Sequence, residues 1–138
     1  MVTTQLVPDI MRYDALCFPA SRHSFLQRWL QPPHRALAAI TPRGAAGYAV
    51  ARSCRSGFKI GPLFADDTRT ALDLLEHLAG ACEGGDLHID APASKVDLVA
   101  ALEAAGFSPT FTTTRMYKGA PTRLDANRIF GVTTLELG

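Results

Sequence analysis

Arg52, Arg55 and Lys59 place three cations around one strand turn. Groups so spaced suit an anionic substrate or a run of phosphates, and equally the solvated charges of an exposed hairpin. His88 stands between Leu87 and Ile89 in a short stretch alternating with Asp86 and Asp90. It would act as a general base only if it lined a cleft. His77, beside Glu76 on a helical stretch, reads as a surface residue. Cys54 has no His or Asp close in sequence to activate it, so it reads as a small packed residue. Cys17, Cys54 and Cys82 lie far apart with no C-x-x-C pair, and the four histidines are scattered, so no metal site is expected. The Gly61-Pro62 pair interrupts an apolar run of Phe58, Ile60, Leu63 and Phe64. Pro62 cannot donate to a ladder, so the strand either splays from its neighbour there or lies at a sheet edge. A splayed strand leaves backbone groups free for an extended ligand.

These residues need a scaffold, and the composition bounds it. The chain has 138 residues, 47% of them apolar, enough for one core. The net charge of +1 offers no field for nucleic acid or an anionic membrane, and no apolar window is long enough to span a bilayer. With an odd cysteine count and no export signal read at Met1 to Pro8, reduced thiols in a cytoplasmic protein are expected.

The spacing predicts short helices over 9–17 and 21–30, the second carrying a stripe of Phe25, Leu26, Trp29 and Leu30 and ending at Pro32-Pro33. Strands follow over 35–41, 45–52 and 57–65, the first two joined by Pro42-Arg43-Gly44. A helix runs from Thr68 to about Cys82, capped by the Asp66-Asp67-Thr68 group. Leu87 to Ile89 form a strand, and Ser94 opens a helix with Asp97 as its capping-box partner. Gly106 sits at the left-handed C-cap. Residues 107–118 are expected to return as a strand, and Ile129 to Leu137 to form a last one after the Pro121 loop. The organisation expected is one domain over 1–138, with a helical segment 1–33, a core of sheet and helices 34–119, and a tail strand 120–138.

That order resembles the GNAT N-acetyltransferase fold. The resemblance covers most of the chain and is strongest from Gly47 to Gly119. Gly47-Tyr48-Ala49-Val50, Cys54 to Asp67, Ala105-Gly106-Phe107, Arg115-Met116-Tyr117 and the closing Arg128 to Leu137 are similar to the C-terminal half of tandem-GNAT proteins. The chain is then expected to be a standalone relative or a fragment. The resemblance implies an α/β (α+β mixed) fold: a central mixed, mostly antiparallel sheet with a V-shaped splay and helices on both faces. It implies that the third strand parts from the next parallel strand. The pantetheine arm of acetyl-CoA would lie in the gap, against the backbone of Leu63, Phe64 and Ala65. The family's pyrophosphate loop aligns with Asp66-Asp67-Thr68-Arg69-Thr70-Ala71, of which only Ala71 matches. Arg69, Thr70 and Ala71 are the implied phosphate-end residues. Carboxylates there repel a pyrophosphate by about 1 kcal/mol per close pair in water, which Arg69 would offset. The position of the family's proton-donating tyrosine holds Leu102. Tyr48 and Tyr117 are the phenols within the stretch of strongest resemblance, and the catalytic candidates are Tyr117 and His88. Arg52, Arg55 and Lys59 are the substrate-side candidates.

Two functions follow. One is an acetyl-CoA-dependent N-acetyltransferase acting on a small-molecule amine, without a metal. The other is a catalytically silent GNAT-like module that binds a ligand such as an acyl-CoA, forms a homodimer, or completes a partner GNAT domain.

Overall fold

A computed structural model describes residues 1–120 and 124–136. After a single 3-10 turn at Thr4–Leu6 come helices α1 (Val7–Cys17) and α2 (His23–Trp29). Pro8 lies in the first turn of α1, where its missing N–H has no intrahelical partner to lose. Ile10, Tyr13, Asp14 and Cys17 form the buried face of α1. Strands β1 (Arg35–Thr41) and β2 (Gly44–Ser53) form a hairpin, and β3 (Phe58–Ala65), α3 (Thr68–Ala81), β4 (Leu87–Ile89) and α4 (Val96–Ala104) follow. A 3-10 turn at Ala126–Arg128 leads into β5 (Ile129–Gly131).

The sheet runs β1-β2-β3-β4, with β5 also paired to β3. The β1–β2, β2–β3 and β3–β5 pairs are antiparallel, and β3–β4 is parallel. One apolar cluster joins Ala49, Ile60, Leu63 and Ala65 of the sheet to Leu74 and Leu78 of α3 and Leu98 of α4. The opposite cluster joins Tyr48, Val50 and Phe64 to Ile10 and Tyr13 of α1 and Leu26 of α2. Helices thus cover both faces. A membrane-crossing helix, long and apolar enough to span a bilayer, is absent among the described residues.

The register across β2 and β3 explains the Gly61-Pro62 break. Ala49 pairs with Leu63 and Ala51 with Ile60, so Val50 alone faces Gly61 and Pro62. Two residues against one is a β-bulge, which bends its strand and raises its twist. The bulge also turns Ile60 and Leu63 to the same face, which a flat strand cannot do for residues three apart. On its other side β3 pairs with β4 only through Phe58, Lys59 and Ile60, the last pair being Ile60 with Ile89. The two parallel strands therefore part at Gly61-Pro62, giving the V-shaped splay.

Three elements differ from the sequence-based expectations. Residues 107–118 form no strand. A strand needs a neighbour, and the edge of β3 beyond Ile60 is held by β5. Phe111, Met116 and Tyr117 are left exposed. The last strand stops at Gly131, because the chain then leaves the β3 ladder. Leu137 and Pro121 lie outside the described residues. Ser94 does not cap α4: the helix starts at Val96 without a side-chain cap bond, and Lys95 N–H is turned back to the Pro92 carbonyl at 3.0 Å. Gly106 does close α4, at φ +90°.

Candidate functional site

β2 fills one edge of β3 at Leu63 and Phe64, pairing them with Ala49 and Tyr48. On the other edge Leu63 pairs with Gly131 and Phe64 with Ile129. Val132 N–H then donates to the Asp90 carbonyl just past β4, at 3.1 Å. The C-terminal segment therefore lies between the two parted strands and bonds to both. A Cβ built on Gly61 would come within 2.6 Å of the Val132 carbonyl oxygen, so segment and bulge are in close backbone contact. A Cβ on Gly131 would meet Leu63 at 3.1 Å and Ile89 at 3.2 Å, which sets this residue between the lips of the V.

The candidate acyl-donor residues sit as follows. Leu63 and Ala65 point into the α3/α4 core, and Phe64 points the other way, its ring edge-on to Tyr48 at 5.7 Å. Ala71 is buried in the core. Thr70 N–H is taken by the Asp67 carboxylate, the N-cap of α3, at 2.7 Å. That bond holds the Asp67 acid below the usual carboxylate range. Arg69 is exposed and pairs with Asp73 one turn along, at 3.0 Å. Asp66 accepts from the Tyr13 hydroxyl at 2.9 Å and pairs with Arg128 at 2.8 Å. Burial, and then Asp66, push the Tyr13 phenol far up, so Tyr13 keeps its proton. Leu102 is buried in the α3/α4 core.

The remaining candidates fall into two places. Phe64 and Tyr117 come together in a cleft of about 230 Å³, walled also by Cys17, Phe18, Ile129 and Arg115. Burial, and then the charge of Asp14, push the Cys17 thiol up to about 12, which makes it a poor nucleophile. His88, Lys59 and Arg52 lie in register across β4, β3 and β2, near the opposite end of β3 from Phe64. Lys59 is paired with Asp90 at 2.6 Å, His88 Nε2 is 2.8 Å from the Ser56 carbonyl, and the Arg52 guanidinium is 6.0 Å from the Trp29 ring centroid. Arg55 is exposed in the turn between β2 and β3. Tyr117 and His88 are thus at different ends of the sheet. Among the described residues no group of three or more His, Cys, Asp or Glu side chains is placed to hold a metal.

Sequence reasoning missed a buried network beside the cleft. Asp14, 2% exposed, accepts from Arg22 Nε at 2.9 Å and Nη2 at 2.6 Å, and from the Tyr48 hydroxyl. Arg22 Nη1 donates to Thr133 Oγ1 at 2.9 Å, tying α2 to the segment in the V. The guanidinium lies 3.9 Å from the Phe18 ring centroid. Burial, and then Asp14, raise the Tyr48 phenol well above its ordinary value. The signal available in sequence was an aspartate in the apolar stripe of α1, between Tyr13 and Cys17.

Comparison with known proteins supplies the frame. A family described as an acetyltransferase (GNAT) domain matches residues 10–131. The holothin acyltransferase of Pseudoalteromonas sp. (strain SANK 73390) is 26% identical over 139 residues, covering 99% of this chain and 47% of that protein. The chain thus spans about half the length of that relative. The crystal structure of a ribosomal-protein-alanine N-acetyltransferase from Brucella melitensis biovar Abortus 2308 matches with a TM-score of 0.62 at 14% identity, over 85% of this chain and 96% of that one. At that identity the likeness is one of fold.

Proposed function

This chain belongs to the GNAT acetyltransferase family, and from that premise we propose that it is an acetyl-CoA-dependent N-acetyltransferase domain acting on the amine of a small molecule. The observation that carries the reading is the parting of β3 and β4 at Gly61-Pro62, with a cleft directly beside it at Phe64. The pantetheine arm would take the V along Leu63, Phe64 and Ala65 with β5 displaced from that edge, where Gly131 and Ile129 pair with Leu63 and Phe64, and the acceptor amine would enter by the cleft. The amine nitrogen attacks the thioester carbon, polarised by backbone N–H groups near Phe64. The C–N bond forms, the C–S bond breaks, and no covalent enzyme intermediate arises. The nitrogen loses its proton to solvent across the open cleft. Tyr117, on the cleft wall, gives its proton to the leaving thiolate and regains one from water. His88, beside Ser56, stands outside this scheme. At the phosphate end Arg69 turns from Asp73 to the pyrophosphate, an easy exchange because an exposed pair at this spacing is worth only about 0.3–0.5 kcal/mol. The three unpaired cysteines suit a reducing, cytoplasmic setting.

A second reading is favoured by one observation: the phosphate end is already satisfied by protein groups, Asp67 on Thr70 N–H and Asp66 on Tyr13 and Arg128. On this reading the module is catalytically silent and completes a partner acyltransferase domain or a homodimer, presenting the exposed Phe111, Met116 and Tyr117.

Calorimetric titration with acetyl-CoA separates the two. Micromolar affinity, about −8 kcal/mol, supports the transferase. Absence of heat at millimolar ligand, in the chain and in a Val132→Pro variant whose V-segment has lost its bond to Asp90, overturns it in favour of the silent module.

A further inference from the structure

We propose that the acceptor is a ring-conjugated amine: an amino group attached directly to a small flat aromatic or heteroaromatic body, uncharged at neutral pH. The inference rests on the transferase reading of the Phe64 cleft and names the substrate class for it. Three observations carry it, all on walls outside β5, which stay in place when β5 is displaced. The first is the shape and make-up of the cleft. Phe18, Phe64 and Tyr117 bring three rings to a space of about 230 Å³. Pockets for drug-sized ligands run to about 300–1,000 Å³, so this one suits a single ring or two fused rings. Aromatic walls favour a flat apolar body, met by stacking or edge-to-face contact.

The second observation is charge. Among the described residues no carboxylate lines the cleft, whereas the Arg115 guanidinium does. Asp14 and Asp125, whose charges reach Cys17, are engaged elsewhere: Asp14 by Arg22 and Tyr48, and Asp125 by Arg128. The Phe18 ring already carries the Arg22 guanidinium, 3.9 Å from its centroid. An alkylammonium would enter beside one cation, against a ring already holding another, with no counter-ion to replace its water. A neutral amine meets none of these costs.

The third observation is the proton. An alkylamine titrates at about 10.4, as lysine does, so at neutral pH it must give up a proton before it can attack. Among the described residues no His or carboxylate lines the cleft to take it, and the Cys17 thiol, pushed up to about 12 by burial, keeps its own proton. An amine whose lone pair is shared with a ring is unprotonated at neutral pH and attacks as it stands. Its nitrogen becomes positive only as the C–N bond forms, and its N–H is then acidic enough to pass to water. The C–S bond breaks, the thiolate takes the Tyr117 proton, and the products are an N-aryl acetamide and the free thiol of CoA. Arg115 is the residue that turns ammonium acceptors away.

The test is the rate of thiol release from acetyl-CoA by the full chain, with aniline and with benzylamine. The two differ by the one CH₂ that separates nitrogen from ring. In kcat/KM at neutral pH aniline should lead by roughly 10²-fold, the usual worth of the general base that benzylamine lacks. The aniline rate should stay nearly flat with pH through neutrality. Arg115→Glu, at an exposed position, places a carboxylate on the wall and should raise the benzylamine-to-aniline ratio by roughly tenfold. Benzylamine reacting as fast as aniline, or an unchanged ratio in Arg115→Glu, overturns the ring-amine assignment and leaves the transferase standing. Acetyl-CoA binding in calorimetry without any transfer to aniline overturns the assignment as well. Absence of acetyl-CoA binding overturns the transferase reading and the assignment with it.

Discussion

Replacing Asp14 by alanine should be among the most damaging single changes in this chain. Asp14 and Arg22 have side-chain exposures of 3% and 7%, and two guanidinium nitrogens and the Tyr48 hydroxyl converge on the one carboxylate. Removing it leaves a buried cation facing an aromatic ring and a buried phenol without its acceptor. An uncompensated charge of this kind costs about 3–5 kcal/mol, a large part of the roughly 5–15 kcal/mol that holds a domain together. The assay is urea unfolding at low temperature, followed by circular dichroism and tryptophan fluorescence, since Trp29 stacks on Phe25, whose ring centroid is 5.3 Å from the Arg22 guanidinium. Asp14→Asn should lose less, because it keeps one oxygen for Arg22. The pair Asp14→Leu with Arg22→Met should recover only part of the loss, since it removes both charges' desolvation costs but still takes the Asp14 acceptor from the Tyr48 hydroxyl and the Arg22 donor from Thr133. A loss below about 1 kcal/mol for Asp14→Ala would refute the reasoning, because it would mean that Arg22 finds water and that the network is a surface pair.

Three further outcomes are expected. Cys17, with its thiol held up to about 12 by burial, should make the fold lose stability as pH rises. The unfolded thiol ionises first, near 8.5, so below that pH the contribution is intact. Above it stability falls by about 1.4 kcal/mol per pH unit towards the folded value. Alkaline denaturation of Cys17→Ala should be shallower over that window, and equal slopes would contradict the burial argument. Asp67→Ala removes the acceptor of Thr70 N–H and should cost α3 about 1 kcal/mol in thermal unfolding; an unchanged midpoint would show that solvent replaces the cap. Tyr117→Phe should lower acetyl transfer by about 10²-fold with little change in acetyl-CoA affinity; an unchanged rate would remove Tyr117 as the acid.

Local elements were legible in the sequence and long-range ones were not. The strand over 35–41 and the Leu87 to Ile89 strand were placed correctly because alternation and turn residues are local signals. The Asp67 cap and the Gly106 C-cap likewise depend on residues within one turn. The Gly61-Pro62 break was readable as a distortion, and its form, a bulge opposite Val50, needed the register. Residues 107–118 carry a strand-like pattern of Phe and Thr, yet they pair with no strand, and the edge of β3 at Leu63 and Phe64 goes to Ile129 to Gly131 instead. Which of two apolar segments takes one free edge is decided by packing of Ile129 and Phe130 into separate cores, and composition does not reveal it. The same holds for Arg22 reaching both Asp14 and Thr133. Of the candidate site, Phe64 and Tyr117 meet in one cleft, while His88, Lys59 and Arg52 gather at the other end of the sheet.

The most direct test is backbone amide chemical-shift mapping during titration with acetyl-CoA. The largest changes should fall on Leu63, Phe64 and Ala65 and on Gly131 to Thr133, with smaller ones at Arg69 and Thr70. Changes confined to Arg52, Lys59 and His88, or none at millimolar ligand, would contradict a donor slot at the parting of β3 and β4.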